Sequence, residues 1–244
     1  KSIDFITCGC DVQSDRIEAM FTAYGPNNER WILNHVKLHG DTSADAVWGD
    51  LSRLLTSTFK LADGREIGPS ITFVDGGFST TQVVKFVMGQ RALQRLCHIT
   101  FGRDKWDRVL VKEGTKVRGL LRGLIIGVDN AKLAAMKSLA IATPGPNFVH
   151  LPNHLDNDFF EQLTSERLVV RYTRGFPKQS WEKEPHVRNE ALDCFVLCNA
   201  AASLMKGRAQ SNKTATKKPS IAEIAARLHA ATNSNQEQGT DRWH

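Results

Sequence analysis

The sequence predicts an α/β fold with a mixed sheet flanked by helices. Three observations carry that expectation. Residues 1–40 hold three strand-like runs in succession, a meander. From there on helical and strand-like patterns alternate, as in α/β domains. An Ala-, Leu- and Cys-rich run, 189–204, then closes the pattern as a helix.

Taken in order, residues 3–11 form a nearly unbroken apolar run, the pattern of a central strand covered on both faces. Residues 16–24 alternate, with Ile17, Ala19, Phe21 and Ala23 on one face. Gly25-Pro26-Asn27-Asn28 is a turn signal, and 29–38 returns as a third strand. A helix is expected after Asp41, Thr42 or Ser43 as its cap, with the apolar stripe Ala44, Val47, Trp48, Leu51, Leu54 and Leu55. Residues 71–74 read as a fourth strand broken by Gly76-Gly77, 79–90 as a capped helix, and 96–101 as a fifth strand. Residues 102–123 carry Arg103, Lys105, Arg108, Lys112, Lys116, Arg118 and Arg122 without clear periodicity, and are expected to be a long basic loop. Beyond it come a short strand at 124–128, a helix at 131–141, a brief strand at 148–151 and a helix at 156–166. Residues 168–172 are expected to pair with a segment near Trp181. Composition turns polar after Lys206, which places a domain at 1–206 and a tail at 207–244. Within that tail, 207–220 reads as a linker, 221–231 as a short amphipathic helix and the end as disordered.

The bulk numbers narrow the function classes. A formal charge of +6 and a pI of about 9.1 suit a polyanionic partner without requiring one. No apolar run approaches the roughly 20 residues needed to cross a bilayer, and no signal peptide is visible. Five cysteines, mostly within apolar runs, read as core residues of a protein in a reducing compartment. The chain has no G-x-x-x-x-G-K-[ST], H-E-x-x-H or G-x-S-x-G, which argues against ATP hydrolysis, zinc proteolysis and serine esterase chemistry.

Three aspartates carry the chemistry. Asp11 and Asp75 close strand-like runs, and Asp193 lies in the closing helix. Carboxylates at the ends of buried strands are costly unless a cation meets them. Hard divalent ions such as Mg²⁺ take oxygen ligands and keep several waters. If the first and fourth strands are parallel neighbours, Asp11 and Asp75 sit together at the carboxyl end of the sheet, where open α/β sheets place their sites. Two ions a few Å apart are the machinery of phosphodiester hydrolysis. The expected arrangement has Asp11 bridging two ions, with Asp75 and Asp193 each completing one. Asp15, Asp129 and Glu190 stand near enough in sequence to assist, and Lys132 could meet a phosphate or simply be solvated. The basic stretch 102–123, with Trp106 interleaved, could equally track a phosphate backbone or be a solvated loop.

Several phrases, in order, carry a resemblance: Gly9-Cys10-Asp11-Val12-Gln13 with Arg16; Val74-Asp75-Gly76-Gly77; Gly127-Val128-Asp129-Asn130-Ala131-Lys132; Phe160-Glu161-Gln162-Leu163-Thr164-Ser165-Glu166; Trp181; and Arg188-Asn189-Glu190-Ala191-Leu192-Asp193-Cys194. Together they resemble the C-terminal nuclease domain of the lambda-like (GpA-type) phage terminase large subunits, over about residues 3–205. The resemblance implies an RNase H-like (retroviral integrase-like) fold. It implies that Asp11, Asp75 and Asp193 bind two Mg²⁺ or Mn²⁺ ions, and that the domain cuts concatemeric double-stranded DNA during packaging in the host cell cytoplasm. It further implies partners, namely a terminase small subunit and a portal protein, together with an N-terminal ATPase domain missing from this chain. The tail after 206 becomes a candidate portal-docking segment. Two other readings stay open: a transposase- or resolvase-type nuclease of the RNase H-like group, and a non-catalytic DNA- or portal-docking module.

Overall fold

A computed structural model describes residues 2–104, 106 and 109–215. The chain divides into two compact units, Lys1–Met205 and Lys206–His244, and every residue of the site below lies in the first. Twelve strands, five α-helices and one short 3-10 helix, Pro26–Asn28, follow one another among the described residues. The meander is β1 (Phe5–Val12), β2 (Arg16–Tyr24) and β3 (Arg30–His39). Helix α1 (Ala46–Leu54) precedes the small hairpin β4 (Phe59–Lys60) and β5 (Glu66–Ile67). Then come β6 (Pro69–Asp75), α2 (Thr80–Ala92), β7 (Cys97–Arg103), β8 (Val111–Val117), β9 (Leu121–Gly127) and α3 (Val128–Leu139). The chain continues through β10 (Val149–His150), α4 (Asn157–Leu163), β11 (Glu166–Thr173), β12 (Phe176–Lys183) and α5 (Glu190–Ala215).

Eight strands make one mixed sheet in the order β10-β3-β2-β1-β6-β7-β9-β8. The meander strands pair antiparallel, and β1, β6, β7 and β9 run parallel. Helices α1 and α2 cover one face, where Cys8, Cys10, Phe21, Val47, Leu51 and Val87 meet. Helices α3, α4 and α5 cover the other, with Met20, Phe73, Ala135, Phe159 and Phe195. Burying a side chain such as Phe195 contributes roughly 1.5–3 kcal/mol. Coverage on both sides explains why β2 is buried along nearly its whole length although its sequence alternates. Its second face carries Glu18, Met20 and Thr22 under α5.

The central helix lies unusually close to the central strand. A Cβ on Gly9 would fall 2.3 Å from the Cys194 carbonyl oxygen and 2.9 Å from the Cys198 nitrogen, so only glycine lets α5 settle on β1. Thr7 Oγ1 donates to the Cys198 carbonyl at 3.2 Å, and the Cys194 and Cys198 thiols donate to the Glu18 and Met20 carbonyls. All five cysteines are free and buried.

Three expectations are corrected. The basic stretch 102–123 is no long loop. It holds the end of β7 and most of a hairpin, β8 paired antiparallel with β9, turning at Arg118-Gly119, both with positive φ. An edge strand with one wet face carries few apolar residues, so periodicity missed it. Helix α1 starts later than its expected caps. The Thr42 hydroxyl instead donates to the Gln13 carbonyl at 2.6 Å, bracing the turn after Asp11, and the Thr42 backbone carbonyl accepts from the Trp48 indole. Helix α5 runs on to Ala215, through most of the stretch read as a linker. The expected helix at 221–231 and the tail lie outside the described residues.

Candidate active site

Register sets the first two carboxylates. In the parallel β1–β6 pair Cys10 stands opposite Val74, so Asp11 and Asp75 come next at the same level, at the carboxyl ends of their strands. Asp193 enters from the first turn of α5, pressed onto β1 at Gly9. The three carboxylates line one cavity of about 240 Å³ together with Gly102, Ile126, Val128 and Lys132.

Each carboxylate has its own holder. Asp11 is 7% exposed, and its Oδ2 accepts from Gln13 Nε2 at 2.6 Å. Asp75 Oδ2 accepts from the Gly77 amide at 3.2 Å. Asp193 Oδ2 accepts from Asn189 Nδ2 at 2.9 Å, and Lys132 Nζ stands 3.5 Å from its Oδ1. Lys132 also donates to Glu166 Oε1 at 2.6 Å, which Asn189 reaches as well. Glu166 is therefore a fourth carboxylate beside the cavity.

The electrostatics are those of crowded acids. Burial pushes the Asp11 carboxyl up to about 7; the Gln13 hydrogen bond opposes this, and the charges of Asp193, Asp75 and Glu190 add to it. Burial likewise pushes Asp193 up to about 6, against the pull of Lys132 and with a push from Glu166 and Asp75. The Asp193 side chain keeps 34% of its surface open, in keeping with the lower value. Asp75 is raised by burial and held back by the Gly77 and Gly76 amides. For Lys132 burial works to lower the value, but Asp193 and Glu166 overrule it and the ammonium is held above its ordinary range.

This donor set fits a hard divalent cation: oxygen ligands, mutual repulsion and an opening with room for waters. The cage is not ready-made. Among the described residues no three His, Cys, Asp or Glu side chains are grouped closely enough to hold a metal ion. The carboxylates would have to draw closer together, and Lys132 now offsets part of the charge they present.

The second-tier residues separate. Asp15 is exposed and pairs with Arg16 at 2.7 Å, away from the cavity. Asp129 lies in the first turn of α3 and lines a neighbouring groove. Glu190 is engaged by Arg16 and Arg188 and belongs to a buried network behind Asp11. At its centre is Glu18, fully buried, bonded by Arg16 Nε at 2.8 Å and by Arg188. His35 Nε2 stands 3.1 Å from its other oxygen, off the hydrogen-bond direction. Burial works to raise Glu18, but His35, Arg16 and Arg188 overrule it and bring it down to about 2. The sequence singled out neither Glu166 nor Gln13 as a site residue. Glu166 comes from the start of β11 after α4; it closes one of the phrases that carry the resemblance, but no spacing marks it as a site residue. Gln13 was visible only as Asp11's neighbour.

Fold and site together define an α/β domain with a cluster of buried acids at the carboxyl ends of parallel strands and the start of the closing helix. The family model described as "Terminase large subunit gpA, endonuclease domain" matches residues 1–217, and the chain belongs to that family. It is 26% identical over 238 residues to the terminase large subunit of Escherichia phage lambda, covering 95% of this chain and 36% of that protein. It is 24% identical over 249 residues to the terminase large subunit of Enterobacteria phage P21, covering 94% of this chain and 38% of that protein. The chain thus spans little more than a third of the length of these relatives. No solved structure matches it significantly. Among the described residues no helix is long and apolar enough to cross a membrane.

Proposed function

We propose that this chain is a divalent-metal-dependent endodeoxyribonuclease domain that cuts concatemeric double-stranded DNA for viral packaging. One observation carries the reading: in a member of the gpA endonuclease-domain family, Asp11, Asp75 and Asp193 reach one cavity from three separate segments. Asp11 would be shared between two Mg²⁺ or Mn²⁺ ions, Asp75 and Asp193 each serving one. When bound, such ions supply an activated water and charge stabilisation for the leaving 3′-oxygen. Gln13 and Asn189 fix the orientation of Asp11 and Asp193. Lys132 stands between Asp193 and Glu166 and screens their charges from one another; in this reading it also meets the scissile phosphate.

The fold that suits this reading is RNase H-like, supported by the mixed sheet between helical layers and by the family match. The domain is 1–206, with 207–244 as an appended tail. The greater length of the relatives supports a further domain in a full subunit; in this reading that domain is an N-terminal ATPase, and the small subunit and portal are partners in the host cell cytoplasm.

The test is nicking and linearisation of supercoiled plasmid with Mg²⁺, Mn²⁺ or EDTA, beside Asp11→Ala. Cleavage that needs metal and disappears in the folded variant supports the reading. Equal cutting by the variant removes Asp11 from the chemistry, and no cutting with any metal favours a docking module.

A further inference from the structure

The β11–β12 hairpin stands outside the main sheet, and its sequence works against its own stability. Arg171 and Lys178 lie directly opposite one another across the ladder. Like charges in that position destabilise a hairpin. Arg171 is met by Glu182 at 2.8 Å, whereas Lys178 has no ion pair among the described residues. The two-residue turn is Arg174-Gly175, with φ of 51° and 81°. Both positions need positive φ, which Asn, Asp or Gly usually supply, so a bulky cation there is strained. Tyr172 and Phe176, beside the turn, are 76% and 77% exposed. Cations kept where they cost stability suggest a ligand that offsets the cost.

The hairpin's placement names that ligand. Lys178 and Lys183 line a groove of about 1170 Å³ together with Asp129 and Lys132. Val128 and Lys132 line the carboxylate cavity too, so the groove lies beside it. The hairpin is tied down beside it. Trp181 Nε1 donates to the Asp129 carbonyl at 3.2 Å, and Trp106 Nε1 to the Gln179 carbonyl at 3.3 Å. At its root Glu166 is bonded to Lys132.

We propose that this hairpin is a grip for the phosphate backbone of duplex DNA, with Lys178 contacting phosphates at the groove and Arg171 and Arg174 carrying the contact on toward the turn. The inference rests on the nuclease reading for its substrate, but binding can be measured without cleavage.

The experiment is fluorescence anisotropy of a labelled duplex in EDTA, with affinity followed against salt, for the wild-type chain and for Arg174→Asn, Arg174→Lys and Lys178→Gln. Arg174→Asn suits the turn and Lys178→Gln removes a like-charge contact, so both variants should melt no lower than wild type. Each should flatten the slope of log K against log salt by about 0.9 and weaken binding about 5-fold at 0.15 M salt, the loss of one phosphate contact. Arg174→Lys should keep the wild-type slope. Unchanged slope and affinity in Arg174→Asn and Lys178→Gln would overturn the proposal, as would a wild-type chain that binds no duplex. Plasmid cutting in Mg²⁺ separates the two ideas. Gripping without cutting removes the nuclease and leaves the hairpin's role; cutting with salt slopes unaltered does the reverse.

Discussion

Gly9→Ala puts the packing of the site to its sharpest test. The new Cβ would meet the Cys194 carbonyl oxygen at 2.3 Å and the Leu197 Cβ at 2.9 Å. These are backbone and near-backbone atoms of a long helix, so no side chain can rotate away. Ordinary contact requires α5 to retreat by roughly 1 Å, and overpacking of that kind costs about 1–3 kcal/mol. In a domain of this size each kcal/mol lowers Tm by about 2–4 °C, so a fall of roughly 2–12 °C is expected. Asp193 begins the same helix and would move away from Asp11. A displacement near 1 Å can cost about 100-fold in rate. The assays are thermal unfolding by circular dichroism and plasmid cleavage well below the variant's Tm. Gly89→Ala is the control. It lies within α2, a Cβ there meets nothing within 4 Å, and the change should stabilise by about 0.5–1 kcal/mol without touching cleavage. A Gly9→Ala protein with wild-type Tm and wild-type cutting would refute the argument that this contact sets the distance between carboxylates.

Further outcomes follow from the charges. In EDTA, Asp11 and Asp193 have folded-state values above their unfolded ones, so they favour the folded state at low pH. That contribution is lost as pH rises from about 4 to about 7. Glu18 has the opposite sign: its stabilisation is present above the ordinary carboxylate range and is lost as pH falls toward 2. Denaturant titrations should therefore find the metal-free protein most stable near pH 4–5, and a rise in stability between pH 5 and 8 would contradict this. Asp11→Asn should stabilise the metal-free protein at pH 8 while abolishing the rise in Tm that Mn²⁺ gives the wild type; a variant still stabilised by Mn²⁺ would show that the ion sits elsewhere. Glu18→Gln leaves the Arg16 and Arg188 guanidiniums short of a buried partner and should cost about 3–5 kcal/mol in chemical denaturation. A loss under 1 kcal/mol would mean that Glu190 alone satisfies both.

Much of this layout was legible in the residues. The unbroken apolar run into Asp11 and the glycines after Asp75 marked two strands ending in carboxylates, and parallel pairing of those strands puts the acids together. Residues 168–172 do pair with the segment around Trp181, with Leu168 opposite Trp181. What escaped was set by contacts distant in sequence. Edge strand β8 has a glycine at its centre and one solvated face, so its alternation is faint. Thr42 reads as a helix cap because its chemistry suits one, yet the turn after Asp11 claims its hydroxyl. Glu166 and Lys132 are 34 residues apart, and nothing local announces that they meet over Asp193.

Whether Asp11, Asp75 and Asp193 jointly hold the ions that cut DNA is tested most directly by anomalous diffraction from crystals of this domain with duplex DNA and Mn²⁺. The account predicts two peaks in the cavity, with Asp11 a ligand of both and Asp75 and Asp193 each a ligand of one, at about 2.0–2.2 Å. Crystals in which the DNA is cut while the Mn²⁺ peaks lie away from these three carboxylates would contradict it.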